Sequence, residues 1–205
     1  MHTNFQRYCI LALFILLVVN NAMPQSFGYI EALEKERADK NAEFLSSEDS
    51  PLTAESKKTF QGLNYFPPDT SFVIKASIDR FSNPDTIKMK TTTERLPLYL
   101  KYGKVTFSLD GQQHSVTIFQ NVALMSTPGF EDYLFLPFTD ITSGEESYGG
   151  GRYIEASLLP DGSVVIDFNR AFNPYCAYNK RYSCPIPPSE NFINARINAG
   201  EKNFH

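Results

Sequence analysis

Apolar and polar residues alternate in short stretches of the chain, and such alternation predicts β-strands that bury one face. The clearest stretches are residues 104–109 and 114–119. The Asp110-Gly111 pair between them favours the tight turn of a β-hairpin. The sequence therefore predicts two antiparallel neighbouring strands in this region.

Further stretches extend this pattern to a whole domain. Residues 152–158 and 163–168 predict a second hairpin, and the remaining strand candidates are residues 72–78, 87–89 and 133–138. About six to eight short strands separated by turn residues are typical of all-β domains. The predicted fold is therefore mostly β, an antiparallel sandwich or a partly closed barrel, over residues 63–205.

A helical period precedes the strands. Residues 29–44 predict a helix whose apolar residues fall near one face together with Arg37, while charged residues cover the rest. A shorter helix is predicted to begin at Ser50 or Thr53. Residues 26–62 are therefore expected to form one or two helices ahead of the β domain.

The first 25 residues have the pattern of a signal peptide. Arg7 precedes an unbroken apolar run at residues 9–19, and the small and polar residues that follow suggest cleavage after Ala22 or near Gln25. The run is short for a bilayer span, and an uncleaved membrane anchor is the alternative. We therefore expect export to the periplasm or the extracellular space, without a stable membrane span after cleavage.

Composition narrows the range of partners. The chain is 42% hydrophobic and 20% charged, with a formal net charge of −4 and no block of Lys or Arg. A chain of this composition can bury a core and is not disordered. Nucleic-acid-binding domains carry a basic patch or stripe, so a nucleic-acid partner is not expected.

Two cysteines remain once the signal peptide, which contains Cys9, is set aside. Seven residues separate Cys176 from Cys184. In an oxidising compartment two cysteines favour a disulfide, and closing this loop would contribute about 2–3 kcal/mol. A zinc pair and a catalytic cysteine are the alternatives, but zinc would need two more ligands. We expect a disulfide, no metal and no cofactor.

The shortage of histidine limits the available mechanisms. Apart from His2 and the final His205, His114 is the only histidine in the chain. Nucleophilic catalysis by serine or cysteine usually needs a base with a pKa near neutrality, and His114 follows a predicted turn, where an exposed surface role is usual. Histidine-based catalysis and most zinc hydrolase sites are therefore disfavoured.

The glycine-rich stretch at residues 140–153 is the first candidate site. Glycines 149–151 allow close backbone approach, so their amides could hold an anion with Arg152 as the countercharge. The alternative is a packed bend under tyrosine rings, with Arg152 bridging to a carboxylate such as Asp167.

Carboxylates and tyrosines supply a second set of candidates. Asp167 could join Asp140, Glu190 or Glu201 in a carboxylate pair for acid–base chemistry or in a calcium site. A salt bridge or a turn cap is the alternative role for Asp167. The tyrosines at residues 175–182 are similar to a glycan-binding surface, although such rings also pack around disulfides.

Several long motifs in these regions resemble one known family. Residues 137–144 (PFTDITSG), 148–153 (YGGGRY), 167–179 (DFNRAFNPYCAYN), 184–188 (CPIPP) and 199–202 (AGEK) look like the bacterial domain-of-unknown-function family numbered 1684. The resemblance extends from about residue 50 to residue 204. It implies no catalytic assignment, and Phe172 stands where many relatives are expected to have Tyr.

These observations favour an exported binding or envelope-associated β module with a small molecule or a glycan as its partner. A histidine-independent hydrolase that uses carboxylates, on carbohydrate for example, and a purely structural periplasmic protein are the alternatives. The candidate binding residues are Asp140, Thr142, Tyr148, Gly150, Arg152, Asp167, Asn169, Tyr178, Glu190, Asn191 and Glu201.

Overall fold

The computed structural model describes residues 23–204, with side chains from Phe27 onward, and residues 1–22 of the predicted signal peptide lie outside this range. Two α-helices and eight β-strands form within it. Their bounds are α1 Met23–Ser46, α2 Ala54–Thr59, β1 Val73–Arg80, β2 Thr86–Lys88, β3 Leu98–Leu109, β4 Gln112–Asn121, β5 Tyr133–Asp140, β6 Arg152–Ser157, β7 Ser163–Asp167 and β8 Phe192–Ile193.

The strands form one sheet that almost closes on itself. Six of them follow the order β6-β5-β4-β3-β1-β7, all antiparallel, while β2 pairs with β3 and the short β8 runs parallel to β5. An isolated bridge between Leu158 and Val164 brings the two ends of this order together. The fold is therefore mostly β and a nearly closed barrel, which confirms the predicted fold class.

The hairpin predicted around Asp110-Gly111 is present as the β3–β4 pair. Leu109 faces Gln112, and both turn residues have positive φ, 50° at Asp110 and 76° at Gly111. Positive φ at both central positions matches the right-handed twist of the flanking strands.

The second predicted hairpin is paired only next to its turn, through the bridge between Leu158 and Val164. β6 pairs with β5, whereas β7 pairs with β1, for example through Ile74 and Ile166. The two strands diverge to opposite ends of the sheet order, and their turn at residues 159–162 closes the barrel.

The barrel encloses one apolar core and carries a second aromatic cluster outside it. The inner cluster contains Val105, Ile118, Leu134, Leu136, Phe138, Ile154, Val164, Ile166 and Phe168, each at most 1% exposed. The outer cluster contains Met89, Tyr99, Phe119, Phe135 and Tyr153. Strand β5 contributes to both clusters and is consequently buried on both faces.

Helix α1 packs against the end of β7 and the C-terminal segment. On α1, Leu33, Arg37 and Phe44 are buried, as the predicted helix face indicated. Helix α2 is capped by Thr53, whose hydroxyl accepts the N–H of Ser56 at 3.0 Å. Between residues 23 and 204, neither helix combines the length and apolarity that crossing a bilayer requires.

Candidate functional site

Arg152 lies at the start of β6 and is fully buried. Its guanidinium donates to the carbonyl oxygens of Ala199 at 2.5 Å and Ile197 at 3.0 Å, and to the Asp140 carboxylate at 3.2 Å. Of its nitrogens, Nε lacks a partner. Arg152 therefore fastens the C-terminal segment to the barrel, and its ion-pair partner is Asp140 rather than Asp167.

The Asp140 carboxylate is saturated by protein donors. Its Oδ2 accepts the N–H of Ile197 at 2.9 Å and the hydroxyl of Thr142 at 2.8 Å. The adjoining glycine bend is packed, because a Cβ on Gly151, which has φ 86°, would lie 2.5 Å from the Phe138 carbonyl oxygen. A Cβ on Gly150 would collide with the Tyr148 ring.

Glu190 and Asn191 lie elsewhere in the fold. Glu190 pairs with Lys101 at 2.9 Å near the surface, and this cation lowers the pKa of its carboxyl. Asn191 is buried and bridges β4 and β5, which pair with each other directly through a single residue pair. Its side-chain amide accepts the N–H of Thr117 and donates to the carbonyls of Thr117 and Pro137, each at 2.8 Å.

Cys176 and Cys184 lie side by side next to Tyr148. The Cys176 N–H donates to Sγ of Cys184 at 3.1 Å, and the Tyr148 hydroxyl is 3.8 Å from Sγ of Cys176. Both are free thiols in the structure, which does not show the predicted disulfide. Hydrogen bonding from Cys184 lowers the pKa of Cys176 to about 6, whereas the same contact and burial raise the pKa of Cys184.

Asp167 and Asn169 face helix α1. The Asp167 carboxylate accepts the hydroxyl of Tyr29 at 2.8 Å and the N–H of Asn169 at 3.0 Å, and it contacts the guanidinium of Arg170. Arg170 in turn forms two 2.8 Å bonds with Glu36 of α1. Burial, followed by the hydrogen bond to Asp167, raises the pKa of Tyr29. These contacts hold α1 against the end of β7.

Glu201 carries a buried carboxylate near the opposite end of the same helix face. One of its oxygens accepts Nζ of Lys40 at 2.7 Å. The other accepts the N–H of Asn173 at 2.8 Å and the hydroxyl of Tyr178 at 2.5 Å. Burial, with the charge of Glu201, raises the pKa of Tyr178 well above its ordinary value.

A cavity of about 150 Å³ lies between these two groups of contacts and is partly open to solvent. Its lining comes from α1, the chain before β1 and the segment after β7. The lining residues are Leu33, Glu36, Arg37, Lys40, Tyr65, Asn169, Arg170, Ala171, Phe172 and Glu201.

Two polar atoms of this lining are buried without a hydrogen-bond partner. They are Nε of Arg37, a residue 7% exposed, and the hydroxyl oxygen of Tyr65. The Arg37 guanidinium lies over the Tyr65 ring at 4.4 Å from its centroid. Four other unpartnered buried atoms occur in the described residues, on Tyr102, His114, Arg152 and Asn173, and none of these residues lines the cavity.

The structure therefore brings together only some of the candidate residues. Asn169 and Glu201 line the cavity, with Asp167 and Tyr178 in contact behind them. Asp140, Thr142 and Arg152 form the separate buried network. Tyr148 adjoins the thiols and Gly150 packs against its ring, while Glu190 and Asn191 lie near β4.

The sequence did not identify the N-terminal lining residues as site residues, among them Arg37, Lys40 and Tyr65. The available indication was Arg37, a cation on the apolar face of the predicted helix. Buried arginines are rare without a partner, so a cation in that position marks a polar contact across the helix interface.

Comparisons with known proteins place this arrangement in a family. Residues 58–202 match the family model described as "Protein of unknown function (DUF1684)". This range includes β1–β8 and most of the cavity lining, but not α1. A comparison with curated proteins finds no match.

A solved structure also resembles the chain along most of its length. It is the solution NMR structure of an uncharacterized protein of Haloarcula marismortui, with 32% sequence identity and a TM-score of 0.66. The alignment covers 87% of this chain and 96% of the other. This relative is archaeal, so the expectation of a bacterial family is not confirmed in that respect.

Proposed function

The chain belongs to the DUF1684 family of proteins of unknown function, and from this premise we propose that it is an exported binding protein. Its ligand site is the cavity between α1 and the end of the barrel. The ligand is a small molecule that supplies hydrogen-bond acceptors to Arg37 and Tyr65.

The observation that carries this proposal is a pair of unpartnered donors on residues that line the cavity, Nε–H of Arg37 and O–H of Tyr65. Leaving a buried donor unsatisfied costs about 1–3 kcal/mol, and most buried polar groups in proteins avoid this cost. A ligand that places acceptors on these donors removes this cost. The free energy regained in this way contributes to the affinity for the ligand.

Binding fits the geometry better than hydrolysis does. The hydrolase alternative requires two carboxyl groups that face each other across a cleft. Asp140 is saturated by backbone and hydroxyl donors, and Glu190 is paired with Lys101. Asp167 and Glu201 are each held by three different side-chain or backbone donors.

Export and a disulfide in the oxidised protein are part of the same proposal. The pattern of residues 1–25 supports export, and the adjacent thiols of Cys176 and Cys184 support a bond once the chain leaves a reducing compartment. Mass mapping of protein purified from its native host tests both. We expect a chain that begins between residues 23 and 26 and a linked Cys176–Cys184 peptide pair; a chain that begins at Met1 with two alkylatable thiols would contradict them.

The binding site is tested by thermal unfolding of the full chain against a panel of small carboxylates, alcohols and amides. We expect at least one compound to stabilise the protein, because a ligand at 100 times its Kd adds about 2.7 kcal/mol to the free energy of unfolding. Tyr65→Phe removes one orphaned hydroxyl and should abolish or strongly reduce that stabilisation.

Tyr133→Phe is the matched control, since the Tyr133 hydroxyl donates to Glu155 at 2.9 Å on another part of the barrel. Without any compound, Tyr65→Phe should leave the protein as stable as before or make it more stable, by up to about 1 kcal/mol, because it deletes an unsatisfied group. A panel without any stabilising compound would contradict a binding site in this cavity. Stabilisation that persists unchanged in Tyr65→Phe would contradict it as well.

A further inference from the structure

We propose that Cys176 and Cys184 form a site for reversible thiol–disulfide exchange with small external disulfides. Cys176 is the attacking thiol, and Cys184 is the thiol that closes the internal bond. The inference shares the Cys176–Cys184 bond with the proposed function and adds that this bond opens and closes. It does not depend on the ligand cavity, because neither cysteine lines it.

The segment around the thiols is held in place by contacts other than a disulfide. The N–H of Cys184 donates to the hydroxyl of Thr92 at 3.1 Å, and its carbonyl oxygen accepts the N–H of Thr92 at 2.9 Å. The guanidinium of Arg95 donates to the carbonyl oxygen of Ser183 at 2.7 Å. Cys176 lies against Cys184 while both are thiols. The pair can therefore be oxidised or reduced without refolding of the segment.

The two sulfurs differ in their access to solvent. Cys176 is partly exposed, whereas Cys184 is only 6% exposed. Which thiol exchanges depends on access, since the attacking sulfur must reach the external disulfide. Cys176 therefore meets the external molecule, and Cys184 lies behind it, next to the sulfur that it attacks in the second step.

The surroundings of Cys176 favour its thiolate, which is the nucleophilic form. Hydrogen bonds from Cys184, Tyr148 and Thr92 lower the pKa of Cys176 to about 6. The contact with Cys176, together with burial, raises the pKa of Cys184. Cys184 thus keeps its proton until the Cys176 thiolate has been consumed, because that thiolate is part of what raises its pKa.

The exchange balances in two steps. The Cys176 thiolate attacks one sulfur of the disulfide R–S–S–R, whose S–S bond breaks, and the first R–S⁻ leaves. Cys184 then attacks Sγ of Cys176, which forms the internal bond and releases the second R–S⁻. The leaving thiolates take up one proton from Cys184 and one from solvent. Two electrons pass from the pair to the external disulfide, and the same steps in reverse reduce the pair with a thiol.

Reaction of the reduced full chain with glutathione disulfide, at about pH 8 where ordinary thiols are partly ionised, tests the order of the steps. Cys184→Ser removes the second step, so we expect a mixed disulfide between Cys176 and glutathione to accumulate. Cys176→Ser is the matched control, and its buried Cys184 should react roughly tenfold or more slowly. Peptide mapping by mass spectrometry distinguishes both positions from Cys9.

Reversibility is tested on the wild-type chain in buffers with graded ratios of glutathione to glutathione disulfide. We expect the linked Cys176–Cys184 peptide pair to disappear and to return along the same curve while the protein stays folded. Circular dichroism monitors the fold of each variant. If Cys184→Ser does not fold, Cys184→Ala takes its place, because it also removes the second thiol.

The outcomes separate exchange from a structural disulfide. Equal rates in the two single variants, or no mixed disulfide in Cys184→Ser, would overturn the assignment of the attacking thiol. A linked pair that glutathione reduces only after the protein unfolds would overturn the exchange and leave the disulfide of the proposed function intact. Two thiols that never link would overturn both.

Discussion

At the scale of single residues, two buried arginines show how similar side chains take different roles. Arg152 donates to three carbonyl oxygens and to Asp140, so its charge is used inside the protein. Arg37 shares its charge with a half-exposed carboxylate and keeps Nε free at the cavity. Burial alone therefore does not mark a site, and the distribution of partners decides which arginine can meet a ligand.

The Asp140–Arg152 pair gives a stability prediction. Asp140→Asn leaves the buried guanidinium without its counterion, and breaking a buried pair in this way costs about 3–5 kcal/mol. Asp161→Asn is the control, because Asp161 and Lys75 form an exposed pair and the variant should keep almost all of the stability. Urea unfolding measures both variants; equal losses would contradict the structural role of Asp140.

The thiol pair gives a prediction about pH. The hydrogen bond from Cys184 lowers the pKa of Cys176 to about 6 from the ordinary value of 9.0. A lowered pKa means that the thiolate persists down to lower pH, so alkylation of Cys176 by iodoacetamide in the reduced protein should be half-maximal well below pH 9. Cys184→Ala should move this midpoint upward, and a wild-type midpoint near pH 9 would contradict the assignment.

At the scale of elements, the sequence was informative where structure is local. The Asp110-Gly111 turn and the alternation on either side of it identify the β3–β4 hairpin, because positive φ and a period of two are properties of adjacent residues. The face of α1 was also predictable, since Leu33 and Phe44 follow a helical period.

The candidate site was not predictable in the same way, because its parts are distant in sequence. Tyr29 meets Asp167 across 138 positions, and Lys40 meets Glu201 across 161. No spacing or periodicity encodes such contacts. The glycine bend was a candidate site because of its composition. In the structure Gly151 packs closely against the Phe138 carbonyl oxygen, and this contact explains the glycine without a ligand.

At the scale of the whole molecule, a nearly closed barrel presents one end to α1 and the C-terminal segment. The barrel interior is filled with apolar side chains. The polar contacts of Tyr29, Glu36 and Lys40 hold α1 against that end and leave the cavity between them. The proposed binding site therefore lies where α1 meets the end of the barrel.

The most direct test of this site is a ¹H–¹⁵N NMR titration of the full chain with a compound that stabilises it in the thermal-unfolding panel, following the side-chain Nε–H signal of Arg37. We expect this signal to shift and to be protected from solvent exchange as the ligand satisfies the donor, together with the backbone signals of Tyr65 and Ala171. An Arg37 signal that stays unchanged while the protein is saturated, or shifts confined to other surfaces, would contradict a binding site under α1.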